Sequence, residues 1–161
     1  MTTGLRDVHL LTDEQAALLW CMRLWVAGRR TGTSVSTSIE QVAFRMDAAD
    51  AGHFVEGFMD ALNRGAGRSI EVGCVRCPKF GADEQLLLDV LALAQERRTF
   101  EALLSLRHLV GAAAARDAVQ NAEGVGLALA RAGRFLPAPG DGGRDGAGPF
   151  DLGTWLVPAS S

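Results

Sequence analysis

The sequence predicts an all-α fold, a single-domain bundle of about five or six helices with an irregular connector that carries two cysteines. Apolar residues recur at helical spacing in several stretches, and good helix-start residues precede them. A chain of 161 residues also suits one domain better than two. We expect the helical domain over residues 1–136, a flexible Gly/Pro-rich linker over 137–149 and an apolar C-terminal tail over 150–161.

The first predicted helix has a clear start and little polar surface. Thr12 is a good N-cap, and Gln15 completes a capping-box pattern with it. Residues 18–26 are apolar almost all round, and we expect the helix to stop near Gly28. A helix without a polar face lies at the centre of a bundle or between subunits. Because few helices remain to cover this one, we expect part of it to be buried in a homodimer. The residues predicted at that interface are Trp20, Leu24 and Trp25.

Two further helices are predicted before the connector. Ser38 can cap a short helix over residues 39–46, and Asp47 can cap a longer one that ends at Asn63. The apolar stripe of the longer helix consists of Phe54, Phe58 and Leu62, at i, i+4 and i+8. From residue 65 to 81 the periodicity changes. Alternating apolar residues near Val72 predict an extended connector or a small arm there.

The second half of the chain predicts three more helices. Asp83 and Glu84 fall in the first turn of one, where acidic side chains suit the helix dipole, and Thr99 can cap the next. An Ala-rich helix follows Gly111 and runs to about residue 132. Its narrow face would let a neighbouring backbone approach closely. That face consists of Ala115, Ala118, Val119, Ala122, Gly126 and Leu129. We therefore interpret Gly124 and Gly126 as packing glycines, not as a ligand loop.

The apolar C-terminal tail is unusual for a terminus because it is rich in large side chains. We expect these side chains to dock in an apolar groove, either on the same bundle or on a partner subunit. Burying them would offset the entropy lost in ordering a short peptide. The residues predicted to dock are Phe150, Trp155 and Leu156.

The pattern Cys74-x-x-Cys77 is the one local motif with chemical content. The two sulfurs can face one metal ion, but tetrahedral zinc needs two more ligands, for which His53 or His108 are the candidates. A redox pair is a second reading, although the next predicted helix starts too far away to lower a thiol pKa. The favoured interpretation is an inert thiol pair, and a haem contact at the Cys-Pro dipeptide stays open as well. No cofactor is expected, and zinc held by Cys74 and Cys77 is the alternative.

Other patterns predict structural roles. No histidine has a catalytic partner in the sequence, and no phosphate-binding or nucleophile motif is present, so no catalytic residue is predicted. A net charge of -3 argues against nucleic acid as a partner. Lys79 is the only lysine among 16 basic residues, which is typical of a GC-rich bacterial genome. The apolar stretches are too short for a membrane span, and the odd cysteine count favours the reducing cytoplasm.

Two functional classes fit these observations. The favoured one is a small non-enzymatic interaction or regulatory protein that acts as a homodimer, with a protein or peptide partner that the sequence does not identify. The alternative is a thiol or zinc-binding protein centred on Cys74 and Cys77. A metal assay on the purified protein would separate the two classes.

Overall fold

The computed structural model describes residues 5–139, and this part of the chain forms a bundle of six α-helices, which confirms the all-α prediction. The helices are α1 (Asp13–Thr31), α2 (Ser36–Arg45), α3 (Ala51–Gly65), α4 (Ala82–Gln95), α5 (Thr99–Leu106) and α6 (Ala112–Arg131). A single 3₁₀ turn, Val8–Leu10, precedes α1. Residues 140–149 of the predicted linker and the whole apolar tail, with Phe150, Trp155 and Leu156, lie outside the described residues.

A short antiparallel ribbon ties the N-terminal segment to the end of the connector. Strand β1 (Arg6–Asp7) pairs with strand β2 (Lys79–Phe80), and Arg6 lies opposite Phe80. Residues 70–74, where the sequence alternates, take no part in a ladder. The pairing occurs at the end of the connector instead, because the N-terminal segment supplies a partner there.

The start of α1 is as the sequence predicts, but its end is not. Thr12 Oγ1 accepts a hydrogen bond from the Gln15 N–H at 3.2 Å, and the Thr12 N–H donates to Gln15 Oε1 at 3.0 Å. The predicted end near Gly28 is wrong, because the helix continues until Gly32 ends it with φ at 71°. At Gly28 the chain folds back so closely that a Cβ would lie 2.7 Å from the Thr33 carbonyl oxygen.

The two caps predicted for α2 and α3, Ser38 and Asp47, are wrong. Helix α2 begins at Ser36, so Ser38 lies inside it, and α3 begins at Ala51. Asp47 has a φ of 57°, a left-handed conformation that Asp tolerates better than most residues. Its N–H donates to the Phe44 carbonyl oxygen at 3.0 Å, which closes the end of α2. Asp47 therefore makes the turn and does not cap the next helix.

Helices α3 and α6 make the largest helix–helix contact. The predicted narrow face of α6 is buried throughout. A Cβ added to Gly124 would overlap the ring of Phe54, and one added to Gly126 would lie 2.7 Å from the Cα of Gln95. The packing interpretation of both glycines is therefore confirmed.

Helix α1 runs through the centre of the bundle. Every residue from 16 to 23 is buried, and helices α2, α3 and α4 all contact α1. The helices of one chain therefore cover this apolar run, so that its composition alone does not require a second subunit. Among residues 5–139, no helix is both long enough and apolar enough to cross a lipid bilayer.

Candidate functional site

Cys74 and Cys77 form a disulfide on the surface of the connector. Their Cα atoms are 5.3 Å apart, within the usual range for a disulfide. The Cys77 N–H donates to the Cys74 carbonyl oxygen at 3.1 Å, which closes a tight turn. Cys74 is exposed and Cys77 is half-buried. The motif predicted to carry chemistry is thus at the surface, and Cys74 is its more exposed residue.

Beneath this turn lies a buried ion pair that the sequence analysis missed. Arg23 on α1 donates to both carboxylate oxygens of Glu84 on α4, with Nε–Oε2 at 2.7 Å and Nη2–Oε1 at 3.0 Å. Both side chains are 3% exposed. A fork-to-fork pair of this kind is among the strongest side-chain interactions available. The sequence signal was Arg23 itself, the only charge inside the apolar run of α1.

The ion pair also holds the backbone of the connector on both sides of the disulfide. Arg23 donates to the carbonyl oxygens of Cys77 at 2.8 Å and Lys79 at 2.7 Å. Glu84 accepts hydrogen bonds from the N–H of Gly73 at 3.1 Å and of Gly81 at 3.2 Å. The turn is therefore fixed to the bundle core immediately before Cys74 and at Cys77 itself.

A second ion pair anchors the start of the connector. Arg68 donates to both carboxylate oxygens of Asp83, at 2.8 and 2.9 Å, and the Glu71 N–H donates to the same carboxylate at 2.8 Å. The Arg68 guanidinium lowers the pKa of Asp83 below its usual value. The sequence predicts Asp83 and Glu84 only as first-turn residues of a helix. In the structure both carboxylates also hold the backbone of the connector.

The third cysteine is chemically separate from the other two. Cys21 lies in α1 and is 2% exposed. Burial raises the pKa of its thiol to about 12, with a smaller contribution from the negative charge of Glu56. Since the thiolate is the reactive form, the burial of Cys21 and its raised pKa both disfavour reaction at this thiol.

The zinc alternative finds no further ligands in the described residues. His53 and His108 are both exposed, and the ring of His53 lies against Phe54 with ring centroids 5.6 Å apart. Within residues 5–139, no three His, Cys, Asp or Glu side chains are grouped so that they could hold a metal ion. Cys74 and Cys77 would thus need ligands from elsewhere to complete a tetrahedral site.

The three residues predicted at a subunit interface have different environments. Trp20 is 6% exposed and lies in the core of the single chain. Within the described residues its buried indole N–H has no hydrogen-bond acceptor. Leu24 and Trp25 are partly exposed and pack against the edge of the core. Self-association stays a prediction, and only Leu24 and Trp25 could take part without opening the bundle.

Comparisons with known proteins assign this chain to no family. No protein-family model, no curated protein and no solved structure matches this chain. The candidate site therefore rests on its own geometry, a solvent-accessible disulfide held to the core by a buried ion pair.

Proposed function

We propose that this chain is a small, non-enzymatic regulatory protein of the cytoplasm whose Cys74–Cys77 pair switches between a disulfide and a dithiol. The observation that carries the proposal is the position of the disulfide, exposed on a turn whose backbone is fixed to the core on both sides. Such a turn can open and close at the sulfurs while the bundle beneath it stays folded.

Cys74 is the more exposed residue of the pair, and its Sγ is therefore the expected point of attack by a small thiol. A thiolate such as that of glutathione would attack the Sγ of Cys74, break the bond to Cys77 and release Cys77 as a thiolate that takes up a proton. A second small thiolate would then attack the small-molecule sulfur of the mixed disulfide. This step returns Cys74 as a thiol and releases the small-molecule disulfide, so that two electrons pass to the protein.

The surroundings of the pair support regulation over catalysis of disulfide exchange. Catalytic dithiols lower a thiol pKa at a helix N-terminus or beside an unpaired cation. Here α4 begins at Ala82, beyond the turn, and the charge of Arg23 is matched by Glu84. Arg23 donates to the carbonyl oxygen of Cys77. These groups position the turn, and neither the start of α4 nor Arg23 places an unmatched positive charge at the sulfurs.

The proposed compartment fits a transient disulfide. In the reducing cytoplasm, disulfides are usually short-lived and serve catalysis or redox sensing. The buried Cys21 thiol would remain reduced in both states, because small thiols and disulfides cannot reach it. The difference between the two states would then be confined to residues 74–77 and their immediate surface.

The experiment is a redox titration of the full-length protein in glutathione buffers, with the accessible thiols alkylated and counted by mass spectrometry. We expect a single two-electron transition in which reduction exposes two thiols, both in the peptide containing Cys74 and Cys77. Cys74→Ser should abolish the transition, and the matched control Cys21→Ala should keep it.

Two results would contradict the proposal. Thiols that stay reduced at every glutathione ratio would show that the pair is inert. Elemental analysis with about one zinc per chain, together with a lower melting temperature after chelation, would support the metal alternative instead.

A further inference from the structure

An open cleft of about 440 Å³ lies beside the start of the connector. It is bounded by the C-terminal parts of α1 and α3 and by connector residues 66–72. Its floor is apolar, with Met59, Leu62 and Leu87 all buried, and the half-buried indole of Trp25 forms one wall. A cavity of this volume with a mostly apolar lining is typical of sites for small organic molecules.

The charged side chains that line the described part of the cleft are all arginines. Of the residues that the structure describes, Arg29, Arg30 and Arg68 line it, and no Asp or Glu does. Arg68 is neutralised by Asp83, but within residues 5–139 no carboxylate forms an ion pair with Arg29 or Arg30. The Arg29 guanidinium lies over the ring of Trp25, 5.3 Å from its centroid. The shortage of lysine explains why these cations are arginines, but not why carboxylates are missing from the lining.

We propose that this cleft binds a small amphipathic carboxylate. The apolar body of the ligand would lie on the floor formed by Leu62 and Leu87 and against Trp25, and the carboxylate would meet Arg29 and Arg30 at the rim. An arginine fork matches a carboxylate in shape and charge, and the local cation excess is set in a chain of net charge -3. The proposal is independent of the redox state of the cysteine pair.

The test is calorimetric titration of the full-length protein with decanoate, supported by tryptophan fluorescence. We expect saturable one-site binding and a change in emission that is lost in Trp25→Phe. Acetate, which has the head group alone, should not bind. Decanol, which has the apolar body alone, should bind about tenfold more weakly, because it lacks the charge-assisted hydrogen bonds.

Two double variants locate the ligand. Arg29→Gln with Arg30→Gln should weaken decanoate binding by about tenfold or more. Arg116→Gln with Arg131→Gln makes the same change in charge at exposed positions of α6 that do not line the cleft, and should leave the affinity within about twofold. Circular dichroism of each variant checks that the helices remain folded.

Three results would overturn the proposal. The first is no saturable binding of decanoate, and the second is an equal affinity in the Arg29/Arg30 variant. The third is binding that appears only when a competitor is removed. Competition by the tail would be revealed by Phe150→Ala with Trp155→Ala, and competition by a second copy would be revealed by dilution of a dimer, with either result assigning the cleft to that occupant.

Discussion

Arg23 and Glu84 form a bidentate ion pair inside the bundle, although they are 61 positions apart in the sequence, and both side chains are almost fully buried. The pair joins α1 to α4 and also bonds the backbone of the connector at Gly73, Cys77 and Lys79. The irregular segment is thus held by the same two side chains that link the helices. This arrangement gives a surface disulfide a rigid base.

Removing one member of the pair should destabilise the protein strongly. Arg23→Met leaves the Glu84 carboxylate buried without its cation, and we expect the free energy of unfolding to fall by about 3–5 kcal/mol. Urea denaturation measures this loss. Arg68→Gln is the matched control. It breaks the bidentate pair between Arg68 and Asp83, which also holds the connector but has a half-exposed arginine. Its effect should be at most about 1 kcal/mol. Equal losses in the two variants would contradict the structural role given to Arg23.

The sequence predicts the parts of this fold that depend on near neighbours. The capping box of Thr12 and Gln15 spans a single turn, and the apolar stripe of α3 repeats every turn, so both can be found from spacing. The ion pair between Arg23 and Glu84 cannot be found in this way, because the two residues are 61 positions apart and no spacing rule connects them. An acidic residue in the first turn of a helix is already explained by the helix dipole, so the position of Glu84 in α4 gave no reason to expect a distant partner.

The acid sensitivity of the fold should depend on Asp83. Its folded-state pKa is lowered, mainly by hydrogen bonds from Arg68, so its contribution to stability is fully present above its unfolded-state pKa, about 3.9, and is lost as the pH falls through the lower folded value. We therefore expect Asp83→Asn to reduce the drop in unfolding free energy between neutral pH and pH of about 2.

The control for this pH experiment is Asp117→Asn. Asp117 is exposed on α6, and within the described residues its carboxylate forms no ion pair. Its variant should keep the pH dependence of the wild type. A pH dependence that is unchanged in Asp83→Asn would show that the contact with Arg68 does not persist in solution.

The close approach of α6 to α4 predicts a steric effect at Gly126. Alanine there would place its Cβ 2.7 Å from the Cα of Gln95, a backbone atom that cannot move aside alone. We expect Gly126→Ala to destabilise the protein by about 1–3 kcal/mol, although alanine favours helix formation. Gly67→Ala is the control, since its nearest neighbour, the Leu109 carbonyl oxygen, would be 3.8 Å away. Thermal unfolding of both variants compares the two sites, and an equally stable Gly126→Ala would exclude the tight contact.

Reduction of Cys74–Cys77 should lower stability without unfolding the bundle. The disulfide closes a loop with a sequence separation of only 3, and the chain-entropy model gives about 2 kcal/mol for so short a loop. In a protein of this size, that corresponds to a fall of roughly 4–8 °C in the melting temperature. The helices should stay intact, because the bonds from Arg23 and Glu84 to the connector do not involve sulfur.

The measurement is a melting curve with and without a thiol reductant, followed by circular dichroism. Cys74→Ser with Cys77→Ser should melt at the temperature of the reduced wild type and should not respond to reductant. A wild type that melts at the same temperature in both conditions would mean that the disulfide does not form in solution, whereas loss of helical signal on reduction would mean that the buried ion pair does not hold the connector by itself.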